Sequence, residues 1–300
     1  MYVIFGATGN IGSVITKTLL AKGEKVRVVA RTASKLQPFA DQGAIVFPAE
    51  VSDSAALSEA LRGARAAFLM VPPDLSSPDY RAGQEQKTDA IAKAVQESGL
   101  KYAVNLSSIA AQAPSGTGPI AGLHAGEKKL NHIAMLHVLH LRPAYFMENE
   151  LQSLELIRGM GIFGSALKPD LRIPMIATRD IGAYAADRLL KLDFSGKSTQ
   201  ELLGASDVTR IEVTAALGRA IGKPELGYVQ FPYEQVQQVL EHKGVAPKTA
   251  QLFIEMYRGF NDGIAVGEEP RSAANTTPTT IEQFAQEVFA PAFRGRAAGA

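Results

Sequence analysis

The first dozen residues constrain the fold of this chain more than any others. Tyr2-Val3-Ile4-Phe5 is a short β-branched and aromatic run that passes directly into Gly6-Ala7-Thr8-Gly9-Asn10-Ile11-Gly12. From Asn10 onward the apolar residues Ile11, Val14, Ile15 and Leu19 recur at helical steps of three and four, and Gly23 after Lys22 stops the pattern. A strand, a glycine turn and a helix in immediate succession give the spacing its meaning. Without Cβ atoms, Gly6 and Gly9 allow a tight turn and close approach of a pyrophosphate, and Gly12 lets the helix pack on the strand. The helix N-terminus, with its free N–H groups and positive dipole end, then faces an anion. The turn therefore predicts a dinucleotide site formed by Gly6, Thr8, Gly9, Asn10, Ile11 and Gly12; the alternative is an ordinary glycine-rich strand-to-helix turn.

The rest of the first half repeats the theme. Short β-branched runs at 26–30, 44–47, 66–71, 102–106 and 138–141 are separated mostly by helical patterns, the order of βαβ units wound into a parallel sheet. Pro72 and Pro73 end the fourth run, because proline lacks the N–H a central ladder needs. After Arg142-Pro143 the alternation weakens, and 232–243 and 250–258 read as amphipathic helices. The expected architecture is α/β, a Rossmann doubly wound parallel sheet over 1–150, with a smaller, mostly helical substrate lobe over 151–300 from which the chain returns to the first domain. Ser115-Gly116-Thr117-Gly118-Pro119 reads as a flexible loop, either a lid over substrate or disordered. The small, polar stretch 294–300 is expected to fray.

Composition narrows the function. Thirty-one basic against thirty acidic residues leave a net charge of +1, no footprint for a nucleic-acid backbone or an anionic membrane surface. There is no cysteine, and the five histidines show no ligand spacing, so thiol chemistry, disulfides and a metal are not expected. No segment reads as a signal peptide or a membrane span, so a cytoplasmic protein is expected.

Arg31 decides the kind of dinucleotide. In NAD-selective folds an acidic residue at the end of the second strand binds the ribose 2′-hydroxyl. Here that place holds Arg31, which can clamp a 2′-phosphate but offers a hydroxyl no acceptor, so NADP(H) is favoured. Lys35 either adds a second positive charge or is a solvated side chain.

The glycine spacing is that of short-chain dehydrogenases. With Arg31 and the segments Phe68–Pro73 (FLMVPP), Asn105–Ser108 (NLSS), Leu141–Asn149 (LRPAYFMEN), Arg179–Gly182 (RDIG) and Thr279–Phe284 (TTIEQF), the chain resembles the NmrA-like branch of atypical short-chain dehydrogenases over almost its whole length. The resemblance implies NADPH lying across the strand carboxyl ends, with Glu50 and Val51 beside adenine, Val71 and Pro72 beside the ribose, and Ser107, Pro143 and Tyr145 near the nicotinamide. It also implies two kinds of activity, reduction of quinones or similar electrophiles, or redox sensing without chemistry.

Typical members of that superfamily carry Tyr-x-x-x-Lys, whose tyrosine shuttles a proton. This chain lacks the pair. His124 and Lys128 hold that spacing, and His124 is the candidate general acid, unless it only holds substrate or caps a helix; Lys128 and Lys129 read as a solvated pair. Ser107 and Ser108 either bond a carbonyl or satisfy strand-end groups. Tyr145, Phe146, Met147 and Asn149 floor a flat pocket or simply pack, with Ser108, Phe146 and Asn149 as substrate candidates. Asp180 reads as the N-cap of helix 181–190. The expected function is an NADPH-dependent oxidoreductase acting on a quinone or another small conjugated carbonyl, quinones needing little acid catalysis. The alternative is a non-catalytic NADP(H) sensor acting through a regulatory protein partner; the chain has no charged interaction tail, which favours the enzyme. A homodimer and the natural substrate stay open.

Overall fold

Six of the apolar runs become parallel strands in the computed structural model, which describes residues 1–295. They are β1 (Tyr2–Phe5), β2 (Val26–Ala30), β3 (Ile45–Pro48), β4 (Ala66–Leu69), β5 (Tyr102–Leu106) and β6 (His137–Pro143). The second half of the chain adds β7 (Tyr145–Phe146), β8 (Ile162–Ser165), β9 (Ile173–Ile176), β10 (Lys197–Leu202), β11 (Asp207–Val208) and β12 (Gly227–Gln230). The main sheet runs β10-β6-β5-β4-β1-β2-β3, parallel at every pairing. Two small sheets, β11-β9-β7 and β12-β8, belong to the second half. β1 lies between β2 and β4, so the order reverses there and opens a crevice at the strand carboxyl ends, where such sheets bind ligands.

Burial follows the layering. β1 is buried at all four positions and so is β4, as a parallel sheet covered on both faces requires. β10 was not foreseen because Lys-Ser-Thr-Gln-Glu-Leu is no apolar run; with β6 as its one neighbour among the described residues, it is an edge strand and needs none. The helix Thr178–Lys191 leads into it and packs on the helix Asn10–Ala21. Gly182 makes that approach, since a Cβ there would lie 2.7 Å from Val14 Cβ and 3.0 Å from the Ile11 carbonyl oxygen.

Three expectations are corrected by this packing. Asp180 is not an N-cap: the helix begins at Thr178, and the Asp180 carboxylate instead takes the backbone N–H (3.0 Å) and hydroxyl (2.8 Å) of Thr279. The motifs RDIG and TTIEQF thus meet in space. Residues 115–119 are neither a lid nor disordered, because Thr117 and Gly118 are buried against the helix Pro247–Asn261. Gly118 has φ +56, a Cβ on it would lie 2.0 Å from the Leu252 carbonyl oxygen, and Glu255 Oε1 accepts the Gly116 N–H at 2.9 Å. At the chain end, Arg294 donates to the Ala220 carbonyl at 3.3 Å and is held rather than frayed; residues 296–300 of that expected stretch lie outside the described residues. The two amphipathic helices are found at Tyr233–His242 and Pro247–Asn261. Among the described residues no helix is long and apolar enough to cross a membrane.

Candidate functional site

The glycine turn bounds the crevice on one side. Gly6 has φ +66, and a Cβ on it would sit 2.9 Å from Sδ of Met70, just past β4, so Gly6 and Met70 face each other across the point where the strand order reverses. At Gly12 a Cβ would lie 2.3 Å from the Gly6 carbonyl oxygen, whereas at Gly9 it would meet only that oxygen, at 3.4 Å. Gly12 therefore serves packing, and Gly9 leaves an open face at the helix start. No side chain caps that helix and no acidic residue occupies its first turn, so its first N–H groups and positive dipole end suit an anion. Thr8 and Asn10 are exposed at the mouth, and Ile11 is buried beneath it. This cradle fits a pyrophosphate.

The neighbouring strand ends carry the residues expected around an adenosine. Arg31 follows β2 directly, is exposed, and among the described residues has neither a salt-bridge nor a hydrogen-bond partner; Lys35, in the 3-10 turn Ala33–Leu36, is likewise exposed and unpaired. Glu50 is exposed and Val51 buried just past β3. Val71 and Pro72 are half-buried after β4.

At the other end, Ser107 continues the ladder past β5 by donating its N–H to the Leu141 carbonyl at 2.8 Å, and Ile109 donates to Pro143 at 2.9 Å. Ala110 then adopts φ +67, a strained conformation for a residue with a side chain. Beside this turn, His124 Nδ1 bonds the Ala111 carbonyl at 2.8 Å. A carbonyl can only accept, so Nδ1 carries a proton, and Nε2, shielded and without a partner among the described residues, is a donor only in the imidazolium form. Lys128 is exposed, whereas Lys129 pairs with Glu85 and Asp89.

A cavity of about 310 Å³ opens beyond this turn, lined by Ile109, Tyr145, Leu203, Phe260 and Ala265 among others, with Arg172 and Arg271 at its polar side. Tyr145 crosses the Phe260 ring edge-to-face at 6.2 Å. Burial, and secondarily the charge of Glu150, push the Tyr145 hydroxyl well above its ordinary pKa, so it stays protonated. Behind it the buried pair Arg210–Glu150 is bidentate at 2.9 and 2.8 Å, and the Arg210 guanidinium lies 5.8 Å from the Tyr145 ring centre. Of the expected site residues, Tyr145 lines the cavity, while Ser108, Phe146, Asn149 and His124 do not. Sequence reasoning missed Glu127 and Arg142, which lie buried behind Ser107.

With this geometry in view, likeness to known proteins decides the family. A model of the NmrA-like family matches residues 2–285. The chain belongs to the NmrA-like family. A relative from Streptomyces griseus subsp. griseus, the (4-alkanoyl-5-oxo-2,5-dihydrofuran-3-yl)methyl phosphate reductase, is 28% identical over 255 residues, covering 85% of each chain. The NADPH-dependent quinone oxidoreductase of Escherichia coli, solved with NADPH, matches with TM-score 0.81 at 23% identity, over 96% of this chain and 100% of that one. NmrA itself, a negative transcriptional regulator solved with NADP, matches with TM-score 0.72 at 16% identity, over 98% and 97%. The NmrA-like family is NAD(P)-binding, and this chain shares its fold over residues 2–285.

Proposed function

We propose that this NmrA-like protein is an NADPH-dependent oxidoreductase that reduces quinones or similarly conjugated ring carbonyls. The observation that carries this reading is that the carboxyl ends of the strands bear both a phosphate cradle beside Arg31, unpaired among the described residues, and a largely apolar cavity bounded by Ile109 and Tyr145. In this reading Gly6, Thr8, Gly9, Asn10, Ile11 and Gly12 hold the pyrophosphate, and Arg31 and Lys35 the 2′-phosphate. Glu50 and Val51 meet the adenine, Val71 and Pro72 the ribose, and Ser107, Pro143 and Tyr145 the nicotinamide end. Bound NADPH supplies the hydride. The chain orients a flat acceptor against the Tyr145–Phe260 wall, excludes water there, and provides at most a hydrogen bond or a proton.

The names of the relatives support the acceptor class. A quinone and a 4-alkanoyl-5-oxo-2,5-dihydrofuran share a ring double bond conjugated to carbonyls. Hydride addition to such a ring leaves a delocalised oxyanion that needs little acid catalysis, which accommodates the absence of Tyr-x-x-x-Lys. Tyr145 remains a hydrogen-bond donor, and His124 as imidazolium is the proposed general acid, with Ser108, Phe146 and Asn149 as further substrate contacts.

The test is loss of NADPH absorbance with a panel of quinones, cyclic enones and simple aldehydes. Turnover with quinones or enones, and far less with aldehydes, is expected. NADPH that binds but is consumed with no acceptor supports the second reading instead, a sensor with a regulatory protein partner, which the likeness to the NmrA regulator favours.

A further inference from the structure

Between β5 and β6 lies a charged cluster that the proposed function leaves unused. Glu127, on the helix Ile120–Asn131, is 4% exposed, Arg142 on β6 is 8% and Ser107 is 4%. Arg142 grips the Glu127 carboxylate in bidentate fashion, Nε to Oε1 at 3.0 Å and Nη2 to Oε2 at 2.7 Å. The Ser107 hydroxyl donates to Glu127 Oε1 at 2.5 Å, the length of a bond to an ionised acceptor. Arg142 Nη1 reaches on to Glu268 Oε2 at 3.3 Å. The Glu268 and Glu269 N–H groups bind the buried Glu201 carboxylate at 2.9 and 3.1 Å, and Glu269 lines the cavity. The cluster thus joins the end of β5 to a wall of the pocket.

A serine hydroxyl has a single proton, and a carboxylate can only accept. With that proton committed to Glu127, Ser107 can offer a ligand only its lone pairs. We propose that Glu127, locked by Arg142, is a positioning residue that fixes Ser107 as a hydrogen-bond acceptor, so that Ser107 recognises an amide N–H, the carboxamide of the nicotinamide ring, and not a substrate carbonyl. The inference rests on the NADPH reading above. It reverses the role a serine at this place would take as a carbonyl donor, and it explains why a charge pair is kept out of solvent at the reaction end of the cleft. Arg142 is the right lock: its planar fork matches the carboxylate, and its hydrogen bond to Glu127, together with that residue's charge, holds its pKa above the usual guanidinium value.

The experiment compares the dissociation constants of NADP⁺ and its 3-acetylpyridine analogue, whose acetyl group has no N–H, by calorimetry. Wild type should prefer NADP⁺ by roughly tenfold or more, the loss expected for an unpaired acceptor. In Ser107→Ala the preference should shrink to about threefold or less, the acceptor being gone. In Glu127→Ala the hydroxyl loses its acceptor and its oxygen can take an Arg142 N–H instead, leaving the proton to face the ligand, so the preference should vanish or reverse. Affinity for 2′,5′-ADP, which lacks the nicotinamide, should be unchanged in both variants; general structural damage would lower it as well. If Glu127→Ala fails to fold, Ser107→Ala decides alone. A wild type without preference, or variants that keep it in full, overturns the inference. A wild type that binds neither NADP⁺ nor 2′,5′-ADP overturns the NADPH reading and the inference with it.

Discussion

The two ends of the proposed cofactor cleft are made of different materials. The phosphate end is backbone: three glycines within seven residues, an uncapped helix start, and no acidic residue in that helix's first turn. The reaction end is side chains gathered from distant places, Ser107, Glu127, Arg142 and Glu268, tied by hydrogen bonds across the sheet. A site made of backbone is local and intolerant of added atoms. One made of side chains is non-local, and it can be retuned by changing the polarity of a single group.

The largest effects should come from adding atoms to the turn. In Gly12→Val the Cβ would lie 2.3 Å from the Gly6 carbonyl oxygen, so the first βα unit should be destabilised and cofactor binding lost together. In Gly9→Val the Cβ meets only one oxygen, at 3.4 Å, so the fold should survive while NADPH affinity falls by about a hundredfold or more. Circular dichroism melting alongside cofactor titration separates the two. A Gly9→Val protein that binds NADPH normally would remove the glycine turn from the site.

The reaction end should respond in rate instead. His124→Ala is expected to lower turnover by about a hundredfold at most, the low end for a general acid because the oxyanion is delocalised, with NADPH affinity nearly unchanged. Unchanged turnover would leave pocket shape and cofactor alone to account for activity.

This division also explains what could be read from the sequence. β1, β2, β5 and the helix Asn10–Ala21 begin where the local pattern places them, because glycine spacing and apolar periodicity are short-range signals. β4 ends at Leu69 rather than residue 71, since the strand stops before the prolines that were expected to cut it. The loop 115–119 was misread because its glycines resemble flexibility, whereas they permit contact with a helix well over a hundred residues later. Glu127 was hidden in Gly-Glu-Lys-Lys, which looks like a solvated helix face. The available clue was Arg142 between Leu141 and Pro143 in an apolar strand, because a buried charge requires a partner.

A smaller effect should separate the two ends by pH. His140 on β6 is buried between Asn105 and Asn131, each 3.0 Å from a ring nitrogen, and desolvation lowers its pKa from 6.5 to about 4. The unfolded chain therefore binds more protons between those values, so this contribution is present in full above pH 6.5 and lost as pH falls towards 4. It amounts to about 3 kcal/mol, an upper figure. Urea midpoints measured at pH 7 and pH 4.5 should differ more for wild type than for His140→Gln; equal shifts would show that His140 is not held neutral.

The central claim, that an NADP(H) cleft starts at the glycine turn and ends its adenosine side at the unpaired Arg31, is tested most directly by calorimetry with NADPH and NADH on wild type and Arg31→Ala. Loss of the charge-assisted phosphate contact should cost about 1.5 to 3 kcal/mol, so wild type should prefer NADPH by roughly tenfold to a hundredfold and Arg31→Ala should lose most of that preference. Equal affinities in wild type, or an Arg31→Ala protein that keeps the full preference, would contradict the account.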